Sequence, residues 1–286
     1  MLRLLTLVPK NIVSALIGGL AHVQLPKLLA QPLLRAFVRG YRIDATTAEH
    51  PLSHYRSIGD FFTRNLAPGL RPIGSGVVSP VDGRVRGVGT ITAGRLEQIK
   101  GKTYAVGELL GDDRFVPLGD PPLAPRYVGG TYLNLYLAPP DYHHIHSPVD
   151  GRITSIRAIP GALWPVNDRS IRTIDRLFAV NERIVVTIES PRGLVTVVMV
   201  GATNVGRISL TFDTIRSNRF PPRRQRAYYA APPVIAAGAR LGTFHLGSSV
   251  VVLFEPGALD IAGITVASGE KVVYGQSIER LKPMTH

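Results

Sequence analysis

The heptapeptide Ser79-Pro80-Val81-Asp82-Gly83-Arg84-Val85 returns 68 positions later as Ser147-Pro148-Val149-Asp150-Gly151-Arg152-Ile153. In both copies a proline precedes an Asp-Gly pair, a composition typical of a tight turn, and an alternating Arg-Val or Arg-Ile segment then indicates the start of a strand. The repeat therefore predicts two similar β units. Polar side chains held on such turns at the mouth of a sheet are where we expect chemistry.

Most of the chain after residue 77 has the pattern of β-structure, whereas helical patterns are concentrated before it and end with a short helix over residues 57–64. A Ser-Pro-Arg-Gly turn at 190–193 predicts a hairpin between its flanking strands. We therefore expect an α+β fold, in which N-terminal amphipathic helices precede a mainly antiparallel, β-rich catalytic domain with an internal repeat of β units. The predicted strands cover residues 131–137, 183–188, 194–200, 250–254 and 261–266.

Composition limits the chemistry that the chain can perform. The 286 residues are 45% hydrophobic, which is ample for a buried core. The absence of cysteine excludes disulfides, thiolate nucleophiles and Cys-ligated metals, so any metal would need His and carboxylate ligands. The formal net charge of +13 predicts an anionic partner surface.

Residues 1–43 contain no Asp or Glu, and their basic side chains lie among apolar runs. Such a basic, amphipathic pattern is typical of a membrane-surface segment, and the mostly apolar stretch 12–23 is too short to span a bilayer. We expect a helical membrane-associating region over 1–66 and the catalytic domain over 67–286. Two alternatives stay open: helices that only pack on the core, and a secretory signal, against which Pro9-Lys10 interrupts the apolar stretch.

Residues 216–226 hold five arginines around Pro221-Pro222. The composition is typical of a mobile surface loop, with docking on anionic lipid as the alternative. Because aromatic residues are sparse among the basic ones and no recognised nucleic-acid module occurs, we expect no nucleic-acid partner.

A second pattern is the cluster Tyr142-His143-His144-Ile145-His146, which directly precedes the second copy of the repeat. Three histidines in four positions have spacings that can converge on one metal ion. The same histidines can instead hydrogen-bond turn backbones, or act as a general base or acid, which is the leading functional interpretation.

A base requires a nucleophile, and Leu246-Gly247-Ser248-Ser249 offers one inside an apolar β run over 241–254. Glycine within a strand often marks a bulge. A strained Gly-Ser peptide with its serine near a His-Asp pair would suit self-attack, because glycine tolerates unusual dihedral angles and leaves its carbonyl accessible.

Together, Ser79-Pro80-Val81-Asp82-Gly83, the cluster continued through Ser147-Pro148, and Leu246-Gly247-Ser248-Ser249 resemble phosphatidylserine decarboxylase of the bacterial and mitochondrial type. The resemblance covers nearly the whole chain. One departure is Ser249, where the family most often has threonine. Further matching blocks are Phe61-Phe62-Thr63-Arg64, Pro68-Gly69-Leu70-Arg71-Pro72-Ile73, Gln98-Ile99-Lys100-Gly101, Leu177-Phe178-Ala179-Val180-Asn181-Glu182-Arg183 and Val200-Gly201-Ala202-Thr203-Asn204-Val205-Gly206.

The resemblance implies a proenzyme that cuts itself between Gly247 and Ser248 into a β chain, residues 1–247, and an α chain, residues 248–286. The family's triad matches Asp82, His146 and Ser248. In that triad His146 would take the Ser248 hydroxyl proton, Asp82 would orient and stabilise the imidazole, and the freed oxygen would attack the Gly247 carbonyl. Ser248 would then become a covalent pyruvoyl group, which is the implied cofactor.

The resemblance further implies that the pyruvoyl ketone forms a Schiff base with phosphatidylserine and accepts electrons as CO₂ leaves, giving phosphatidylethanolamine. His143 matches the first histidine of the family's Tyr-His-x-x-His motif and is the candidate proton donor, whereas His144 matches a variable position and is given no role. We expect a homodimer, from the family, and peripheral association with the cytoplasmic face of the bacterial inner membrane, because the substrate is a lipid headgroup.

Three alternatives remain. A zinc-dependent β-barrel peptidase would use His143, His144 and His146 as ligands. A non-catalytic membrane-surface β module would use the repeated turns only as structure. A simple Ser-His-Asp hydrolase is the third, although the chain lacks the Gly-x-Ser-x-Gly elbow of the commonest such fold around Ser248.

Overall fold

The computed structural model describes residues 10–99, 101–203, 207–219, 221–245 and 248–280. It has the expected α+β architecture, with helices first and mainly antiparallel sheets after them. The helices are α1 (Lys10–Ala21), α2 (Lys27–Tyr41), α3 (Ile58–Phe62), α4 (Val106–Leu110), α5 (Asp112–Phe115), α6 (Asp168–Thr173) and α7 (Leu177–Val180).

The N-terminal helices have one packed face and one exposed face. In α2, Ala30 and Leu34 are one turn apart and both are 1% exposed, in a small apolar cluster that includes Tyr55 and Phe61. Helix α3 begins where the Ser57 hydroxyl accepts the Asp60 N–H at 3.0 Å, so the short helix predicted over 57–64 is confirmed. No helix among the described residues is long and apolar enough to cross a membrane.

The strands are β1 Gly83–Thr90, β2 Arg95–Ile99, β3 Lys102–Ala105, β4 Thr131–Leu137, β5 His144–His146, β6 Gly151–Ile159, β7 Arg183–Ser190, β8 Gly193–Gly201, β9 Ile208–Leu210, β10 Gln225–Tyr228, β11 Val234–Ile235, β12 Arg240–Phe244, β13 Ser248–Phe254 and β14 Lys271–Val272. They form a nine-stranded antiparallel sheet in the order β10-β6-β7-β8-β13-β4-β1-β14, with β11 also pairing with β6. A three-stranded sheet has the order β5-β12-β9, and β2 pairs with β3. The strands predicted over 131–137, 183–188, 194–200 and 250–254 are confirmed, as is the hairpin between β7 and β8.

Two local predictions are wrong. Residues 261–266 do not form a strand, because the Asp260 carboxylate accepts the Ala262 N–H at 3.1 Å and starts a 3₁₀ helix over Ile261–Gly263. The apolar run over 241–254 is not one strand either. Its first part, β12, lies in the three-stranded sheet, and its second part, β13, opens at Ser248 in the large sheet.

The segment 216–226 is only partly a loop. Its last two residues, Gln225 and Arg226, belong to β10, which pairs with β6. The Arg226 guanidinium forms an ion pair with the buried carboxylate of Asp120.

The two copies of the repeat have equivalent surroundings, as predicted. Gly83 at the start of β1 pairs with Val272 of β14, and Gly151 at the start of β6 pairs with Ile235 of β11. A β-carbon on either glycine would lie within 2.6 Å of a carbonyl oxygen on the neighbouring strand, so both positions require glycine. The repeated Asp-Gly therefore marks a close approach of two backbones.

The two turns also contact each other reciprocally. The Val78 N–H donates to the Pro148 carbonyl at 2.9 Å, and the His146 N–H donates to the Pro80 carbonyl at 2.8 Å. Because His146 occupies the position in one copy that Val78 occupies in the other, the repeat places an imidazole on one side only. This asymmetry locates the candidate site.

Candidate active site

The imidazole of His146 has one protonated and one unprotonated nitrogen. Its Nδ1 lies 2.7 Å from the Gly238 carbonyl oxygen, and since a carbonyl only accepts, Nδ1 carries the hydrogen. Nε2 is then the basic nitrogen, and the Tyr142 hydroxyl donates to it at 3.3 Å while accepting from Arg240 at 3.1 Å. Burial lowers the pKa of His146 to about 4, so its neutral form dominates at pH 7.

Asp82 lies on the first repeated turn and is 7% exposed. Its carboxylate accepts two hydrogen bonds from Arg71, at 2.6 and 3.3 Å, and one from the Tyr274 N–H at 2.8 Å. It makes no hydrogen bond to His146, whose ring orientation comes instead from Gly238. The negative charge of Asp82 raises the pKa of His146 and so opposes the effect of burial.

Tyr274 connects these two residues. Its backbone N–H binds Asp82, and its ring lies parallel to the His146 ring, with centroids 3.9 Å apart and an interplanar angle of 8°. The Tyr142 ring is 5.3 Å from the Tyr274 ring. The structure therefore brings Asp82 and His146 together around one tyrosine.

His143 is fully buried beside this group. Its Nδ1 lies 2.8 Å from the Asp141 carbonyl oxygen, and its ring packs 3.9 Å from the Phe62 ring. Nε2 has no hydrogen-bond partner in the described part of the chain. Burial lowers the pKa of His143 to about 3, which leaves a neutral imidazole with a free lone pair.

His144 has a structural environment. Its Nδ1 pairs with the Thr243 hydroxyl at 2.7 Å and its Nε2 with the Thr63 carbonyl at 3.0 Å, so both nitrogens are occupied. Across the described ranges, no group of three His, Cys, Asp or Glu side chains is arranged to hold a metal ion. The zinc peptidase hypothesis therefore lacks a ligand set there.

Ser248 opens the central strand β13, where it pairs with Leu137 of β4 and Gly201 of β8. It is fully buried, and its hydroxyl, like that of Ser249, has no hydrogen-bond partner among the described residues. A buried hydroxyl without a partner costs about 1 to 3 kcal/mol, so two in succession indicate a functional site. Leu246 and Gly247, including the predicted cleavage position, lie outside the described residues.

The strand connections limit how far Ser248 can lie from the histidine cluster. The Phe244 N–H at the end of β12 donates to the His143 carbonyl at 2.9 Å. Four residues later Ser248 begins β13, so the chain keeps the two α-carbons of Phe244 and Ser248 within about 15 Å. The Ser248 hydroxyl and the His146 imidazole make no hydrogen bond to each other.

Several residues of the site are absent from the sequence prediction. Arg71 lies in a block that matches the family, and Tyr142 in the histidine cluster, so both had a signal without an assigned role. Gly238 acts through its carbonyl oxygen, which every residue has. Tyr274 reaches the site only because β14 pairs with β1.

The candidate site holds a buried neutral imidazole at His146 and a buried carboxylate at Asp82, and Ser248 adds a buried hydroxyl at the start of β13. The family model for phosphatidylserine decarboxylase matches residues 58–280. A phosphatidylserine decarboxylase proenzyme of Anaeromyxobacter sp. (strain K) is 44% identical over 276 residues, which cover 93% of this chain and 95% of that protein. The chain therefore belongs to the phosphatidylserine decarboxylase family.

Two more relatives carry the same name and extend over similar lengths. The proenzyme of Myxococcus xanthus (strain DK1622) is 42% identical and covers 89% of each chain. The proenzyme of Brevibacillus brevis is 38% identical over 96% of this chain and 95% of its own. The resemblance inferred from the motifs is confirmed.

Proposed function

We propose that this chain decarboxylates phosphatidylserine to phosphatidylethanolamine after cutting itself between Gly247 and Ser248. The observation that carries the proposal is the buried Ser248 hydroxyl, which has no hydrogen-bond partner among the described residues, in a decarboxylase family member that also holds His146 as a buried neutral imidazole. Cleavage would give a β chain of residues 1–247 and an α chain of residues 248–286.

In the cleavage step, His146 Nε2 takes the proton of the Ser248 hydroxyl, and the oxygen attacks the Gly247 carbonyl carbon. The Gly247–Ser248 C–N bond breaks, His146 returns the proton to the released amine, and an ester still joins Gly247 to the Ser248 oxygen. Loss of the Ser248 α-proton would then expel the Gly247 carboxylate and cut the chain, and one water would replace the Ser248 nitrogen, which leaves as ammonia. Asp82 acts through its charge, which favours the imidazolium form of His146 while that proton is held. Tyr142, whose hydroxyl occupies Nε2, must turn away for this transfer.

Ser248 also fits the implied pyruvoyl group, because its side chain is buried at the start of a strand and none of the described residues hydrogen-bonds its hydroxyl. A pyruvoyl carbonyl supplies the electron sink that protein side chains lack when CO₂ leaves an amino acid. His143 Nε2 is the candidate proton carrier. An anionic substrate entering beside it would favour its imidazolium form, which burial otherwise disfavours.

The position of β13 explains how the two products would stay together. Residues 248–254 pair with β4 on one side and β8 on the other, and both of those strands belong to the β chain. Strand β14 adds the pairing with β1. The α chain would therefore remain held by backbone hydrogen bonds on both edges of its first strand.

Two neighbouring serines provide a matched test. Ser248 and Ser249 are both buried, and their hydroxyls have no partner in the part of the chain that the structure describes, but only Ser248 is assigned chemistry. We expect Ser248→Ala to abolish both cleavage and CO₂ release from phosphatidylserine in mixed micelles, and Ser249→Ala to retain both. If Ser248→Ala is still cut, or still releases CO₂, the proposal is wrong.

A substitution at His143 should affect decarboxylation and leave self-cleavage intact. Because its assigned role is proton transfer during decarboxylation, His143→Asn should still give the two fragments and lose CO₂ release. Poor cleavage by His143→Asn would contradict this division of roles.

We also propose peripheral membrane association through the exposed faces of α1 and α2. Leu16 and Leu20 of α1 are 63% and 73% exposed, and Leu28 and Leu29 of α2 are 88% and 59% exposed. Since residues 1–43 contain basic but no acidic side chains, these leucines lie in a segment that anionic lipid attracts.

Vesicle co-sedimentation tests this association. The double variant Leu20→Gln/Leu28→Gln should bind vesicles of phosphatidylcholine and phosphatidylglycerol more weakly than the unmodified chain. Val234→Gln is the matched control, because Val234 is also largely exposed but lies on β11. Equal binding by all three would contradict the proposal.

A further inference from the structure

The repeat allows the backbone and the ring of Tyr274 to be considered separately. Tyr274 lies two residues after Val272 of β14, and Ala237 lies two residues after Ile235 of β11. The Tyr274 N–H donates to Asp82 at 2.8 Å, and the Ala237 N–H donates to Asp150 at 2.9 Å. The same backbone hydrogen bond therefore forms with a methyl side chain in the other copy, and it does not require an aromatic ring.

The next residues are equivalent too. The Gly275 N–H donates to the Ser79 carbonyl at 2.9 Å, and the Gly238 N–H donates to the Ser147 carbonyl at 2.8 Å. Both glycines have positive φ, at 82° and 77°. The turn that carries Tyr274 thus forms in both copies without help from a large side chain.

The two copies differ in the residue that lies opposite the position of Tyr274. On the Tyr274 side it is His146, whose ring lies parallel to the tyrosine ring at 3.9 Å. The residue equivalent to His146 in the other copy is Val78, which has no titratable group. An aromatic ring therefore occurs at the one of the two equivalent positions that faces an imidazole.

We propose that Tyr274 is a positioning residue for self-cleavage, whose ring fixes the plane of the His146 imidazole and stabilises it when it holds the Ser248 proton. This inference rests on the proposed function. One face of the imidazole is covered by the ring, and the Nδ1–H bond to Gly238 fixes the direction of Nε2. Together the two contacts leave the imidazole no free rotation.

The electrostatic stabilisation of a protonated His146 would come from the π face of the Tyr274 ring. Burial disfavours the imidazolium form, and Asp82 makes no direct bond to the imidazole. A cation over an aromatic face is attracted to it, most strongly where water is excluded. Tyr274 thus supplies the contact with a charged His146 that Asp82 supplies only through space.

Tyr274 would belong to the α chain, whereas Asp82 and His146 would belong to the β chain. Residues 248–280 must therefore be folded against β1 before the base is correctly placed. The segment that is cut off thus takes part in arranging the groups that cut it.

The test follows cleavage during cell-free synthesis, as the fraction of labelled chain converted to two fragments over time. Tyr274→Leu fills a similar volume without a π face and should slow cleavage roughly tenfold, the size expected for a desolvated cation–π contact. Tyr274→Phe keeps the ring and should restore most of that loss. Tyr274→Ala reproduces the residue at 237, so it should fold and also cleave slowly.

Val273→Ala is the matched control, because Val273 is the adjacent residue and is partly exposed. It should cleave at the unmodified rate. Equal rates for Tyr274→Leu and Tyr274→Phe, in a chain that otherwise cuts itself, would overturn the inference about Tyr274 alone. An unmodified chain that never cuts itself would instead overturn the proposed function.

Discussion

Asp82 and Asp150 occupy equivalent positions in the two repeated turns, and each accepts a backbone N–H at a similar distance, from Tyr274 and Ala237 respectively. They differ in burial, since Asp82 is 7% exposed and Asp150 is exposed on the surface. They differ also in partners, because Arg71 pairs with Asp82. One copy of the turn therefore carries charge next to His146, and the other serves the fold.

The first prediction uses this pair. Asp82→Asn removes a negative charge that favours the imidazolium form of His146 and should slow self-cleavage several-fold. Asp150→Asn keeps a hydrogen-bond acceptor for Ala237 and should cleave normally. Time courses of fragment formation compare the two, and equal slowing would show that both carboxylates serve only the turn.

The second prediction concerns Arg71. Arg71→Leu leaves the buried Asp82 carboxylate without its cation, and breaking such a pair costs about 3 kcal/mol. The urea midpoint should therefore fall markedly. Lys102→Gln is the control, because its ion pair with Asp175 is exposed and screened by solvent, so its loss should change stability little. Similar losses in the two variants would contradict the importance of the buried pair.

The third prediction is an acid sensitivity of folding. Burial lowers the pKa of His143 and His144 to about 3 and that of His146 to about 4, from 6.5. At these three rings the unfolded chain binds more protons than the folded chain between pH 6.5 and 4, so their contribution to stability is complete above pH 6.5 and falls as the pH drops. Each buried histidine contributes up to about 1.4 kcal/mol per pH unit.

Urea unfolding at several pH values measures this slope. His144→Asn removes one titrating group and should make the slope shallower by about one proton. A stability that does not change between pH 7 and 5 would contradict the buried, neutral state of these rings.

The fourth prediction concerns the glycines of the repeat. A β-carbon at Gly83 would lie 2.6 Å from the Tyr136 carbonyl oxygen, and one at Gly151 would lie 2.5 Å from that of Glu189. Each Gly→Ala substitution should cost about 1 to 3 kcal/mol, because backbone atoms must move. Gly40→Ala, in a helix with open space around it, should be neutral or stabilising by up to about 1 kcal/mol. Thermal unfolding of the three variants checks the contrast.

Much of the fold follows from local pattern. Alternating apolar residues correctly predict β4, β7 and β8, because a period of two in the apolar residues is the local pattern of a strand. The pattern fails at 261–266, where one side-chain cap at Asp260 decides the conformation. It fails also at 241–254, since apolar periodicity does not say that β12 and β13 join different sheets.

The candidate site is less accessible to sequence reasoning. Asp82, His143, His146 and Ser248 were assigned through their resemblance to a family, and their roles remain proposals. The partner that orients His146 is a carbonyl oxygen of Gly238, which leaves no mark in the sequence. Tyr274 is 128 residues from His146 along the chain, and only the pairing of β14 with β1 brings their rings together.

The most direct test of the central claim is the intact mass of the purified protein. Self-cleavage between Gly247 and Ser248 predicts two masses, one for residues 1–247 and one for residues 248–286 that is lighter by one ammonia than the unmodified peptide, because a pyruvoyl group replaces the N-terminal serine. A single mass for the uncut chain of 286 residues, after incubation with phosphatidylserine, would contradict the account.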